Sequence, residues 1–560
     1  MGSLIQNAIG HGWWQPGEIP PETGNFALQN AVRRVGRSIH FIQIEGRIGV
    51  GYGGTLFYGD PAESHCPENG RPLLASVPPL SPDTLGDPLF KKAHRLKYPY
   101  IAGAMAHGLT SVEMVEAMAR GGMLGFLGAA GLSPDEIETA IERLQNSLGN
   151  LPFGINLIHS PNDPQLESAL VRMFIDRGIR RISASAFMDL TLPLVYYRVR
   201  GIHTDPQGNI VCPNQIIAKV SRIEVATKFF LPPPEKLLSE LVQSRMISAG
   251  EAELAGRVPM ADDVTAEADS GGHTDNRPAI SMLPTMISLR DHLVSSYNYP
   301  RIPGIGLGGG VSTPQSAAAA FAMGAAFVVT GSVNHSCVEA GTSDVVRKML
   351  TEARQADVTM APSADMFELG AKVQVLKRGT LFPLRAAKLY DLYNRYTRYE
   401  DIPLKQRTIL ERDIFRCTFE EEWHSTRAFF GARDPRQIER AEKDPRHKMS
   451  LVFRSYLGRS SRWAQQGDPT RKIDYQVWCG PAMGAFNEWV KGSFLESPEQ
   501  RRVVPIAMNL LWGACVATRI HWIRAQGIEL PHEITKIPPL PLSQLLQLMD
   551  RSQPDEAAKD

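Results

Sequence analysis

Cysteine is scarce and scattered. The 560-residue chain has six, Cys66, Cys212, Cys337, Cys417, Cys479 and Cys515, without any C-x-x-C pair, so neither a structural zinc site nor a disulfide framework is expected and a reducing cytoplasm fits. An excess of one charge is missing too. Lys and Arg number 60 against 59 Asp and Glu, a formal net charge of +1, which argues against a general nucleic-acid binder. Long apolar runs are almost absent. The one at 503–520 contains Pro505, Asn509 and Gly513 and is flanked by arginines, so it reads as a buried helix rather than a membrane span. The first residues show no charged start leading into an apolar segment, and Gln6 stands where myristoylation needs Ser or Thr. No export signal or lipid anchor is expected.

What is present is a rhythm. A chain of this length exceeds one ordinary core, so a large domain of about 250 to 300 residues with smaller ones attached is expected. Up to about residue 78 the sequence is rich in Gly and Pro, with one strand pair over 38–45 and 48–52, which reads as a small β-containing domain, with 75–87 as its linker. Short apolar strands then alternate with amphipathic helices. Strands are expected over 98–105, 123–127, 153–158, 181–186, 216–220, 262–266, 304–306 and 326–330. Ser133 and Glu136 have capping-box spacing at one helix start. Eight β/α steps in about 270 residues give the length of a TIM (β/α)8 barrel, whose ligands sit at strand C-terminal ends. A doubly wound open sheet shares the local rhythm. Beyond about 367 the strands are expected to stop, and helices over 386–396, 405–415, 437–441, 448–457, 484–491 and 503–525 make a helical C-terminal domain. The division is therefore 1–78, 79–367 and 368–560, with disorder expected from about 552.

The richest stretch is Glu267-Ala268-Asp269-Ser270-Gly271-Gly272-His273-Thr274-Asp275-Asn276-Arg277-Pro278. It follows an apolar strand, and Gly271 and Gly272 remove Cβ atoms so that backbone can lie against a flat ligand, with His273 at the strand outlet to move a proton near neutral pH. Gly308, Gly309 and Gly310 form the next outlet, and Gly331 with Ser332 the one after. Two glycine outlets at the last two strands of a barrel are where this fold usually holds a phosphate, with N–H groups and a helix start facing the anion. At the first outlet Ala104 and Met105 offer backbone to the barrel mouth, although Met105 equally suits core packing. Asn156 ends an apolar strand, which suits hydrogen bonding to a heteroaromatic edge. Lys219 interrupts another, where a cation is costly unless it meets an anion or a reduced, negatively charged ring. Together these ask for a flat, phosphorylated ligand. Flavin mononucleotide (FMN) satisfies each demand.

Four longer motifs carry a family resemblance: the 267–278 stretch, Val-Thr-Gly-Ser-Val-Asn-His at 329–335, Ala-Pro-Ser-Ala-Asp-Met-Phe-Glu at 361–368, and Cys-Gly-Pro-Ala-Met-Gly-Ala-Phe-Asn at 479–487. On these the chain resembles the 2-nitropropane dioxygenase (nitronate monooxygenase) superfamily of FMN barrels and, within it, the PfaD family of trans-acting enoyl reductases of polyketide and polyunsaturated fatty acid synthases. The chain departs from the familiar pattern at His335 and Ser363. The resemblance implies that NAD(P)H, with NADPH or NADH left open, reduces FMN, which then reduces enoyl thioesters carried on acyl carrier protein. It implies His273 as proton donor and Lys219 as stabiliser of the reduced flavin. It also implies Ala104, Met105, Asn156 and Lys219 against the ring, Gly271 and Gly272 beside it, and Gly308, Gly309, Gly310, Gly331 and Ser332 at the phosphate. An acidic carrier calls for a basic docking patch, with Arg33, Arg34 and Arg37 or Lys91, Lys92, Arg95 and Lys97 as candidates. The tryptophan-rich tail fits either a cap over the active site or a homodimer interface. An acyltransferase is sometimes fused to such reductases, but no Gly-x-Ser-x-Gly elbow occurs, so a stand-alone reductase is expected. The alternatives are a nitronate monooxygenase using the same histidine as base, and a catalytically silent synthase scaffold without flavin.

Overall fold

Eight parallel strands close into a barrel in the computed structural model, which describes residues 12–59, 65–160 and 163–550. They are β1 (Tyr100–Ala102), β2 (Leu124–Leu127), β3 (Gly154–Ile158), β4 (Arg181–Ser185), β5 (Gln215–Val220), β6 (Asp263–Glu267), β7 (Gly304–Gly308) and β8 (Val328–Thr330), each paired with the next. The open-sheet alternative fails at one seam. Residues Val328 to Thr330 of β8 pair in register with Tyr100 to Ala102 of β1, so no edge remains. The strands read as apolar runs because helices cover their outer faces and side chains fill the interior. Helices begin where caps were expected: Ser133 and Glu136 form the reciprocal capping box that opens Pro134–Leu148.

Several helices escaped the sequence reading, among them Asn25–Arg33, Leu192–Val199, Ile223–Phe230 and Phe419–Arg433, with Pro88–His94, Ser332–His335, Asp344–Thr351 and Leu542–Met549 as well. The first three of these are only eight or nine residues long, too short for a period to stand out. The N-terminal hairpin belongs to a larger, six-stranded antiparallel sheet, in which Arg71–Val77 takes up the start of the supposed linker. Arg519 fastens this sheet's helix to the far end of the chain, donating to the carbonyls of Arg34 (2.5 Å) and Arg37 (3.0 Å).

The apolar run 503–520 lies in the helix Val503–Ala525, which by length and composition could cross a membrane, yet 78% of its most apolar window is buried inside the protein. It crosses the barrel helix Pro314–Ala322 closely. A Cβ on Gly513 would stand 2.6 Å from Pro314 Cγ, so the crossing needs glycine. At the N-terminal end of the barrel, Asp263 accepts from His94 Nε2 at 2.7 Å and from the N–H of Gly304 at 2.8 Å, and it pairs with Arg301. Asp263 and His94 are fully buried on the side away from the mouth, so this cluster fixes the barrel floor.

Strands do not stop near 367. Val358–Pro362 and Lys372–Leu376 pair antiparallel, and the second also pairs with Gly272–His273 from the β6 outlet, Gly272 opposite Gln374 and His273 opposite Val373. Three strands from distant sequence thus lie over one side of the mouth. The helical region follows, and its helix Pro445–Gln466 packs behind the loop 363–369.

Candidate active site

The loop 268–278 is held by its own polar residues. Asp269 accepts from Gln374 Nε2 (2.7 Å) and Asn276 Nδ2 (2.9 Å), and Gln374 also donates to the carbonyl of Ser270 (2.8 Å). Asp275 accepts from Ser221 Oγ (2.5 Å) and Arg222 Nε (3.1 Å) after β5. The carboxylates that enrich this stretch therefore position it. His273 emerges from that frame with 39% of its side chain exposed, within reach of a bound molecule. Its Nε2 lies 3.2 Å from Asp365 Oδ1, and among the described residues its Nδ1 has no hydrogen-bond partner. Asp365 is itself fixed, accepting from Ser363 Oγ (2.6 Å) and the N–H of Met366 (3.1 Å). Burial pushes the Asp365 carboxyl up, but the hydrogen bond and charge of His273, with Ser363, outweigh it and hold the group well below the usual carboxylate range.

The glycines divide into two kinds. A Cβ on Gly271 would meet the backbone of Cys479 and Gly480 at 3.0 Å, one on Gly309 would meet Ala268 at 2.8 Å, and one on Gly308 would meet Thr265 at 3.1 Å, so these three permit close packing of chain on chain. On Gly272, Gly310 and Gly331 a Cβ would meet nothing within 4 Å. Open space thus lies beside backbone at the outlets of β6, β7 and β8. That is the cradle an FMN-sized group needs, and the residues fit it. The helix start after β7 contributes less than expected, because Ser316 Oγ already accepts the N–H groups of Ser312 and Thr313 at 2.9 Å.

Lys219 meets an anion of the protein's own. Its Nζ lies 2.5 Å from Glu267 Oε1, which also accepts from Ser270 Oγ at 3.0 Å. Glu267 was not singled out as a site residue, though it opens the recognised motif. Asn156 is buried inside the barrel, with its Oδ1 accepting from Ser185 Oγ at 2.9 Å. Met105 is half-buried, its N–H donating to Thr110 Oγ1 at 2.9 Å, so its backbone is fixed at the β1 outlet beside Ala104. Ser332 Oγ accepts the N–H of Gly480 at 2.9 Å. Asn156 lies in the middle of β3 and not at its end as expected, because Leu157 and Ile158 continue the strand, while the other sites read from sequence share the C-terminal end of one barrel. Three residues that matter there were missed, Glu267, Asp365 and Gly480, and the signal for all three was membership of the longer motifs.

Both basic clusters are tied to other parts of the chain. Lys91 Nζ donates to the carbonyls of Asp83 (2.5 Å) and Leu85 (2.7 Å), in a segment that precedes β1 and so stands at the barrel's opposite end. Arg33 to Arg37 lie against Val503–Ala525. His335 is no acid–base group. Burial lowers it to about 4, its Nδ1 contacts the carbonyl of Trp478 at 3.2 Å, and the ring is neutral at working pH.

The loop 363–369 is clamped from behind. Glu368 Oε1 accepts from His447 Nδ1 (2.6 Å) and Ser450 Oγ (2.5 Å), and His447 Nε2 faces Gln437 Oε1 at 2.9 Å. Both ring nitrogens of His447 thus face oxygen atoms, so the ring is held on two sides. The hydrogen bond from His447 lowers Glu368 to about 2 from the ordinary 4.5. A depressed carboxylate stabilises the fold above its unfolded pKa and loses that contribution as pH falls through the folded one. Thermal unfolding midpoints should therefore drop between about pH 4.5 and pH 2, and Glu368→Gln should flatten that part of the curve. An unchanged slope in the variant would show that the clamp carries no such linkage.

A closed parallel barrel with its polar cluster at the C-terminal mouth defines an α/β-barrel enzyme whose site is built on the βα loops. Residues 87–390, just over half of the chain, match the family model described as nitronate monooxygenase. The chain belongs to that family. Residues 396–475 match the model described as the inserted helical domain of [acyl-carrier-protein] S-malonyltransferase. A polyunsaturated fatty acid synthase component of Thraustochytrium sp. is 46% identical over 456 residues, covering 80% of this chain and 30% of that protein. Polyketide biosynthesis protein PksE of Bacillus subtilis is 44% identical over 433 residues, covering 77% and 56%. The chain spans well under two thirds of the length of these curated relatives. The crystal structure of the enoyl reductase domain of MlnA, from the macrolactin biosynthesis cluster of Bacillus amyloliquefaciens, is 41% identical with a TM-score of 0.74, covering 77% of this chain and 97% of that one. The PfaD-type resemblance is borne out: the chain belongs to the nitronate monooxygenase family, is similar to an enoyl reductase domain, and is related to components of polyunsaturated fatty acid and polyketide synthases.

Proposed function

We propose that the chain is a trans-acting, FMN-dependent enoyl-[acyl-carrier-protein] reductase that reduces the α,β double bond of carrier-bound enoyl thioesters with NAD(P)H. The observation that carries the reading is the position of His273, fixed at the β6 outlet beside open glycine backbone, in a chain 41% identical to an enoyl reductase domain that it covers almost entirely. Bound FMN would supply the two-electron chemistry that protein side chains lack. The backbones of Gly272, Gly310 and Gly331 leave room for it, and Ser332 and the β1 outlet at Ala104 and Met105 would line the same space. Lys219, held by Glu267, keeps a cation at the mouth where negative charge develops on reduction.

Saturating the double bond requires a hydride at the β-carbon and a proton at the α-carbon. His273 supplies the proton. To act as the acid the ring must carry a proton on both nitrogens; because Nε2 faces Asp365, the proton leaves from Nδ1, the nitrogen without a protein partner among the described residues, and the neutral Nε2–H tautomer remains. Anaerobic spectroscopy tests the proposal. A flavin band that bleaches with NADPH and returns with an enoyl thioester supports it, and protein that stays colourless after reconstitution with FMN overturns it in favour of a silent scaffold. Family membership gives a second reading, a nitronate monooxygenase with His273 as base. Oxygen-dependent turnover of a nitronate, without enoyl reduction, would establish that instead.

A further inference from the structure

The helical region reaches the candidate catalytic histidine through one loop. Residues 363–369 run from Val358–Pro362 towards Lys372–Leu376, and their two acidic side chains point to different duties. Asp365 faces His273 at 3.2 Å. Glu368 is bound by His447 and Ser450, both on the helix Pro445–Gln466, and Arg454 of the same helix donates from Nε to the carbonyl of Ala364 at 2.8 Å. The loop is therefore anchored on either side of Asp365 by a helix outside the barrel. Ser363 Oγ adds a 2.6 Å hydrogen bond that orients the carboxylate from within the loop.

We propose that Asp365 is a positioning residue for His273, holding Nε2–H in a hydrogen bond so that Nδ1 faces the reacting carbon, and that the helix Pro445–Gln466 takes part in catalysis by fixing the loop that presents it. Nothing about the barrel alone determines this. The β6 outlet delivers an exposed imidazole whose ring could turn about its side-chain bonds, and a fixed acceptor on one nitrogen selects both ring orientation and tautomer. The separation of roles follows from the contacts. Asp365 touches the histidine, whereas Glu368, His447 and Arg454 join the loop to the helical region behind it.

This proposal rests on the reductase reading, and the test keeps the two apart. The FMN-reconstituted full-length protein is compared with Asp365→Asn, using NADPH and a crotonyl thioester as probe, with thermal unfolding as a control for folding. In the variant, kcat for double-bond reduction should fall by about 10²-fold, the cost of misplacing a reacting group by roughly 1 Å, with KM and the bleaching of flavin by NADPH unchanged. In parallel, ¹⁵N-histidine NMR, with His273→Asn assigning the resonance, should show Nε2–H in the parent and a redistributed tautomer in Asp365→Asn. Should Asp365→Asn fail to fold, Ser363→Ala loosens the carboxylate without removing its charge and should lower kcat to a lesser degree, again at constant KM. A kcat equal to the parent's in the variant that folds, or an unaltered His273 resonance, overturns the proposal. A parent protein that bleaches with NADPH but never reduces the thioester sinks the reductase reading instead, and the NMR result still decides whether Asp365 sets the tautomer.

Discussion

Replacing His273 with Asn is expected to lower enoyl-thioester reduction by about 10²- to 10⁴-fold, the range over which a positioned acid or base contributes. Asn keeps a hydrogen-bonding side chain but cannot hand over a proton at working pH. The effect should fall on one half of the reaction. Flavin reduction by the nicotinamide needs no proton from His273, so bleaching with NADPH should proceed at the parent rate while reoxidation by the thioester stalls. Stability should hardly change, because the short strand Gly272–His273 is held by backbone pairing to Lys372–Leu376 and the loop by Asp269, Gln374 and Asp275. Stopped-flow measurement of the two half-reactions separates these outcomes. Equal slowing of both would mean that the residue shapes the cofactor site instead.

The second large effect is expected at Gly331. Its backbone lies outside the left-handed region and a Cβ there would meet nothing within 4 Å, so a side chain is tolerated by the protein and intrudes only on what the protein holds. Gly331→Leu should therefore purify without flavin, refuse reconstitution with FMN and unfold at the temperature of the ligand-free parent. Gly309 offers the contrast. Its φ is +89° and a Cβ would stand 2.8 Å from the carbonyl carbon of Ala268, so Gly309→Ala should destabilise the fold itself. Full flavin content in Gly331→Leu would mean that the open space at the β8 outlet is not the cofactor's.

Lys219 shows how a correct local principle can leave the answer open. A lysine in an apolar strand needs an anion, and the sequence suggested a reduced ring. Glu267, a β6 residue that the barrel brings beside β5, is that anion. The pair still places a cation at the mouth, although its charge is already balanced in part. The two departures from the family pattern also take on physical meaning. Ser363 supplies the hydroxyl that orients Asp365, and His335 is a neutral, buried ring behind the β8 outlet.

The sequence by itself determined the eight-step barrel, the order of its strands and the clustering of glycines and His273 at their outlets. Apolar periodicity and turn chemistry are local, and closure of eight strands then brings all outlets to one face whatever the details. Only the tertiary structure decided which glycines face open space and which admit neighbouring backbone, because that depends on what chain passes by. It also decided the partners. Asp365 meets His273 from 92 residues away, and Gly480 reaches Ser332 across 148. No period or spacing encodes such pairs, since a contact between distant segments is fixed by how barrel, overlying strands and helices pack together, and each of those surfaces is complete only when the others are in place.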